Sequence, residues 1–171
     1  MEQIDVKIAF LHGELEEEIY LKQPEGYIQE GQENKVCLLT KSQYRLKLSP
    51  RQWYKRFNSF MIKVRYNRCE SDTFVYFKKN DNPTYFLLYV DDMLIVARNK
   101  RHIQKLKAQL KKEFDMKDMG EAKKTLGMEI TRDRGSCKLW LSRENYFLKV
   151  LERFNMAEAR SITTPLAGHF K

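Results

Sequence analysis

Apolar positions along this chain fall into short runs separated by turn residues, and in three places they recur with helical spacing. Ile4 to Phe10 has strand character and is broken at Gly13, and VCLL at 36–39 is a further short apolar run. Ser49-Pro50 predicts a helix start, because serine can cap free amides and proline is preorganised for the first turn. Behind it Trp53, Phe57, Phe60, Met61 and Val64 recur at offsets of four, seven, eight and eleven, one apolar face opposite Arg51, Lys55, Arg56 and Lys63. Thr73 to Phe77, Tyr85 to Val90 and Met93 to Ala97 read as strands, with the turn-rich KKNDNPT between the first two. Ile103, Leu106, Leu110 and Phe114 predict a second helix whose other face, Lys105, Lys107, Lys111 and Lys112, is strongly basic. TLGMEIT at 125–131 and KLWL at 138–141 predict a hairpin joined by RDRGS. Ser142 then caps a third helix that buries Tyr146, Phe147, Val150, Leu151 and Phe154.

The resulting order is strand, helix, strand hairpin, helix, strand hairpin, helix. This is an α+β pattern, an antiparallel sheet with helices packed on one face. At 171 residues the chain can bury one substantial core, and a composition 42% hydrophobic with 12% aromatic excludes a disordered chain. Charge is uneven: residues 1–35 hold nine acids against three bases, a net of −6, which leaves +15 of the overall +9 in residues 36–171. A basic body suits a polyanion, nucleic acid above all, although a solvated lysine surface gives the same count. The acidic run Glu14 to Glu18 reads as a solvated face. Cys37, Cys69 and Cys137 form no Cys-x-x-Cys pair, so reduced thiols in an intracellular protein are expected. His12, His102 and His169 lack ligand spacing and suit surface or turn roles. Phe86 to Ala97 is too short and too acidic to span a bilayer, and no membrane partner is expected.

One run does not fit a plain core strand. Tyr85 to Ala97 reads YFLLYVDDMLIVA, with Asp91 and Asp92 at the centre of an apolar stretch. A buried carboxylate is costly unless it is paired, hydrogen-bonded or bound to a cation. If the flanking strands form a hairpin, the pair sits at its tip, in solvent. Two adjacent carboxylates on a rigid turn, with Asp5 from the other candidate core strand as a third, are the hard oxygen donors that magnesium prefers. By itself a DD pair is more often a turn feature.

Tyr89-Val90-Asp91-Asp92-Met93-Leu94 resembles the YVDD box of reverse transcriptases, specifically those of copia-type LTR retrotransposons. DVKIAFLHGELEEEIYLKQPEGY is similar to the segment bearing the family's first catalytic aspartate, here Asp5. SPRQWYKRFNSFM is similar to the helix after its nucleotide-binding loop, and FDMKDMGEAKKTLGMEI to the closing part of the palm and the primer-gripping hairpin. KLWLSRENYFLKVLERFNM and TTPLAGH resemble the connection that follows. The resemblance implies a palm-like antiparallel sheet in residues 1–122 and a primer-grip-like hairpin with the start of a connection in 123–171. It also implies that Asp5, Asp91 and Asp92 hold two Mg²⁺ ions, with Mn²⁺ as a substitute. Val6, Phe10, Tyr89 and Val90 would then contact the incoming nucleotide, with Phe10 beneath its sugar. Gly127, Met128 and Glu129 would support the primer backbone, and Lys47, Arg51, Lys55, Lys111 and Lys112 would face nucleic-acid phosphates. Implied partners are an RNA or DNA template with primer, dNTPs, and the integrase and RNase H segments of a Pol polyprotein. The implied location is the cytoplasm, within a virus-like particle, or the nucleus.

The match departs from the family at two places. The family's LYGLKQ is here Gln43-Tyr44-Arg45-Leu46-Lys47-Leu48, with arginine at a glycine position and leucine at a glutamine position. A non-glycine residue is strained if that position needs a positive φ. Asp5 also stands almost at the start of the chain, where the family carries fingers, so the expectation is a reverse transcriptase core with fingers largely missing. The alternative expectation is a catalytically inactive nucleic-acid-binding remnant.

Overall fold

A computed structural model describes residues 1–28, 30–79 and 82–159, and the chain divides into two units, Met1–Ala122 and Lys123–Lys171. The tail from residue 160 onward, TTPLAGH included, and part of the KKNDNPT turn lie outside the described residues.

In the first unit the elements are β1 (Glu2–Val6), β2 (Tyr20–Lys22), β3 (Val36–Leu38), α1 (Ser49–Lys63), β4 (Asn67–Arg68), β5 (Val75–Lys78), β6 (Thr84–Tyr89), β7 (Asp92–Ala97), α2 (Lys100–Glu113) and β8 (Met116–Glu121). Six of the strands form one antiparallel sheet in the order β4-β5-β6-β7-β1-β8, so β1 lies between β7 and the edge strand β8 although it comes first in the chain. Every second side chain of β1 and β6 is buried, and the apolar ones among them, Ile4, Val6, Phe86 and Leu88, share a core with Trp53, Phe57, Phe60 and Met61 of α1 and Ile103, Leu106 and Leu110 of α2. Each such side chain contributes about 1.5–3 kcal/mol by leaving water. The alternate positions, Gln3, Asp5, Tyr85, Leu87 and Tyr89, point away from that core. The expected antiparallel sheet with helices on one face is therefore present in this unit.

Several local expectations are corrected. The first strand ends at Val6, not Phe10, because Ile8 takes a left-handed conformation (φ 49°) and Ala9–His12 winds into a 3-10 turn. Ser49 does not cap α1. Leu48 occupies that position without a side-chain bond, while the buried Ser49 hydroxyl bonds the Gln43 carbonyl and the Ser42 hydroxyl and ties the preceding loop together. Strands β2, β4 and β8 escape sequence reading because they are short or polar. Lys107, expected on a solvated basic face, is buried, with its ammonium 2.6 Å from Glu2 and 2.5 Å from Asp118. The acidic run is not merely solvated either: Glu16 pairs with Lys55 and Glu14 with Arg56.

The second unit contains β9 (Lys124–Thr125), β10 (Met128–Asp133), β11 (Lys138–Ser142) and α3 (Glu144–Arg153), with sheet order β11-β10-β9. Leu126 and Gly127 both have positive φ, which suits the tight turn between β9 and β10. The expected β10–β11 hairpin is present, and the Asp133 carboxylate accepts from the Gly135 and Ser136 N–H groups in its turn. Ser142 does receive the Glu144 N–H, at 3.1 Å. The apolar side of α3 is not buried as expected: Tyr146, Phe147 and Phe154 are each more than half exposed.

Candidate active site

β6 and β7 are joined by two residues, Val90 and Asp91, with Tyr89 and Asp92 as the closing pair. Val90 has φ 57°, an unfavourable conformation for a β-branched residue that costs on the order of 1–3 kcal/mol. Other elements hold it there. The Trp53 indole N–H of α1 donates to the Val90 carbonyl at 2.8 Å, and the Val6 N–H of β1 donates to the Asp91 carbonyl at 3.3 Å.

Asp5 lies directly opposite Asp92 in the β1–β7 ladder, on the face not covered by the helices, with Asp91 in the adjoining turn. Asp91 is exposed; Asp92 is half-buried and accepts a hydrogen bond from Gln3 Nε2 at 3.1 Å. Burial, then the charges of Asp91 and Asp92, push the Asp5 carboxyl above the usual carboxylate range, against the pull of Lys117. Lys117 is its partner on β8. Like charges facing each other across a ladder destabilise a sheet, so this arrangement favours a cation. Three carboxylates are hard oxygen donors of the kind a magnesium ion takes. Among the described residues, however, no group of three or more His, Cys, Asp and Glu side chains is already gathered tightly enough to hold a metal.

The remaining expected site residues are distributed as follows. Val6 is buried at the end of β1, Tyr89 is 60% exposed and Val90 41% exposed beside the carboxylates. Phe10 is carried by the 3-10 turn, its ring 4.9 Å from that of Tyr44. Lys47, Arg51 and Lys112 are exposed, whereas Lys55 and Lys111 already pair with Glu16 and Asp118. Gly127, Met128 and Glu129 belong to the second unit, where Glu129 accepts from Asn145 at 2.6 Å. Arg45 does adopt a positive φ, 76°, so the strain expected of an arginine at that position is present.

Sequence reading missed two residues of this site. Trp53 was assigned to the core, yet it also carries the only polar atom of the α1 stripe, an indole N–H that must find a partner when buried. Gln3 gave no signal. His12 closes the 3-10 turn, one of the two roles expected of it, and is packed there against Phe114 and Trp53, at 5.5 and 5.9 Å; burial lowers its pKa. Trp53→Phe keeps the apolar contact and removes the donor. It is expected to cost about 1–3 kcal/mol by leaving the Val90 carbonyl short of a partner, read as a lower urea midpoint. An unchanged midpoint would show that the turn holds itself.

Residues 1–168 match the family described as reverse transcriptase (RNA-dependent DNA polymerase). The chain belongs to the reverse transcriptase family. It is 57% identical over its whole length to the Retrovirus-related Pol polyprotein from transposon TNT 1-94 of Nicotiana tabacum, covering 13% of that protein. It is 36% identical over 96% of its length to the polyprotein from transposon RE1 of Arabidopsis thaliana, covering 11%. The putative transposon Ty5-1 protein of Saccharomyces cerevisiae is 32% identical over 96% of the chain, which covers 54% of it. No solved structure matches the chain. The copia-type resemblance is thus borne out, and this reverse transcriptase domain spans a small part of the polyproteins it matches. No helix among the described residues is long and apolar enough to cross a membrane.

Proposed function

We propose that the chain acts as the palm of an RNA-directed DNA polymerase, joining a dNTP to a primer 3′-hydroxyl on an RNA or DNA template. The observation that carries this reading is Asp5 facing Asp92 across the β1–β7 ladder with Asp91 in the adjoining turn, one negatively charged patch on an uncovered sheet face. In this reading Asp5, Asp91 and Asp92 hold two Mg²⁺ ions, for which Mn²⁺ can substitute. Bound there, the metal acidifies the 3′-hydroxyl and offsets triphosphate charge.

The chain's own residues do the rest. Trp53 and Val6 keep the Val90–Asp91 turn in its strained shape, so that the carboxylates are aligned before substrate arrives. Tyr89 and Val90 pack by the primer end, and Phe10, backed by Tyr44, lies under the sugar of the incoming nucleotide. Lys47, Arg51 and Lys112 meet backbone phosphates, with Lys55 and Lys111 contributing only if they leave their carboxylate partners. Residues 1–122 form the palm, and the hairpin opening with Gly127, Met128 and Glu129 supports the primer. The activity is expected inside the cell, in a cytoplasmic virus-like particle or the nucleus, alongside other Pol segments.

Primer extension on an RNA template tests this reading. Extension should require Mg²⁺ or Mn²⁺ and vanish in Asp91→Asn. An Asp91→Asn variant that extends as fast as the parent, or no extension with either ion, overturns it.

A further inference from the structure

The end of β6 remote from the carboxylates borders a cavity of about 420 Å³. Thr84 pairs with Ala97 there, whereas Tyr89 pairs with Asp92 at the other end, about 17 Å along the strand. Thr84 is also buried on the helix-covered side of the sheet, the opposite face from Asp5. The cavity is therefore separate from the candidate active site.

Its walls concentrate positive charge from three elements that are distant in sequence. Lys63 and Arg65 come from the end of α1 and the turn after it, Lys78 from β5, and His102 and Lys105 from α2; no acid is among the described residues that line it. Lys63, Arg65, Lys78 and Lys105 make no ion pair among the described residues, unlike Lys55, Arg56, Lys107 and Lys111 of the same two helices. The end of α1 offers roughly half a negative charge, far less than four permanent cations require. One cation is also placed at a cost. Arg65 closes α1 with φ 64°, its N–H bonded to the Ile62 carbonyl at 2.9 Å, in the conformation where glycine is usual. Lys78 sits 5.6 Å over the Tyr66 ring and donates to the Val64 carbonyl at 3.5 Å, and the buried Tyr66 and Thr84 side chains form part of the cavity wall.

We propose that this cavity is a second anion site that takes a run of closely spaced phosphates, either a free linear polyphosphate or consecutive phosphates of a nucleic-acid strand. Four cations that make no ion pair among the described residues disfavour a cationic ligand, and a single monoanion would offset only a fraction of them. The volume lies within the range of small-ligand sites, and lysine and arginine residues contributed by three elements suit several phosphate groups at once.

Calorimetric titration of the chain with sodium tripolyphosphate at low salt tests the proposal. Lys63→Gln/Lys105→Gln should weaken binding about tenfold or more. Arg65→Gly should also weaken it while leaving the melting temperature unchanged or higher, because glycine relieves the left-handed backbone. A purely structural arginine would not separate the two readouts. Lys22→Gln/Lys35→Gln removes the same charge elsewhere in the unit and should leave binding as it was. Absence of binding to the parent chain, or an equal loss in the Lys22/Lys35 pair, overturns the site. Addition of a short single-stranded RNA to the tripolyphosphate complex separates the two sources: displacement assigns the cavity to a strand's phosphates, retention to a free polyphosphate.

Discussion

Lys107→Met is expected to lower the unfolding free energy by about 3–5 kcal/mol, a large part of the stability of a domain this size. The Lys107 side chain is 2% exposed, and its ammonium bridges Glu2 on β1 to Asp118 on β8. Glu2 also accepts from Gln104, and Asp118 also receives Lys111 and the Gly120 N–H, so one cation on α2 organises both strands. Removing it leaves Glu2 buried without an ammonium, which costs more than the pair itself was worth. Glu2→Gln/Lys107→Met should accordingly recover much of the loss. Urea unfolding of the parent, single and double variants checks this, and a double variant no more stable than Lys107→Met would contradict the account.

The same network has an acid signature. Burial alone would raise the Asp118 carboxyl, but hydrogen bonds from Lys107, the Gly120 N–H and Lys111 bring it down to about 2. A depressed carboxyl stabilises the fold above its unfolded pKa of about 3.9 and loses that contribution as pH falls through the folded value. The parent should therefore lose stability between about pH 4 and pH 2, and Lys107→Met should lose less of it in that window.

Asp5→Asn should act in opposite directions on activity and on stability. Proposed nucleotidyl transfer should fall by about a hundred- to a thousandfold or more, because the alignment of charge at the site depends on this carboxylate. The metal-free protein should instead gain up to about 1 kcal/mol, because the substitution removes one of two like charges facing each other across β1 and β7. The Asp5 carboxyl is raised by burial and by Asp91 and Asp92, so its folded state favours the protonated form. That preference helps the parent below the ordinary carboxylate range and is lost as pH rises through the raised value. The stability gain of Asp5→Asn should thus appear near neutral pH and shrink toward pH 3. Thermal melts across that range without divalent ions, with primer extension in parallel, decide it. Identical melts at every pH would show that Asp5 is not strained, and retained extension that it is not needed.

The legibility of this protein differed from element to element. Helices α1 and α2 were readable because an apolar stripe every three or four residues has few alternatives, and β6 and β7 because β-branched and aromatic runs flank a break. α3 was legible as a helix, but not its exposure, since periodicity reports which face is apolar and not whether anything covers it. β8 was unreadable because MKDMGE is held by β1 and by an Asp118–Gly120 turn rather than by apolar alternation. Lys107 looked like one more surface lysine, because its position on α2 says nothing about carboxylates that arrive from residues 2 and 118.

By itself, the sequence determined the family and the antiparallel hairpins and singled out Asp5, Asp91 and Asp92 as candidates, since each of these is written in a contiguous run. Only the tertiary structure decided that Asp5 faces Asp92, that Trp53 and Val6 hold the strained turn between them, and that cations from α1, β5 and α2 line one cavity. These are contacts between residues tens of positions apart. They follow from β1 being inserted between β7 and β8, a choice made by the burial of Ile4 and Val6 against the helices rather than by any local pattern.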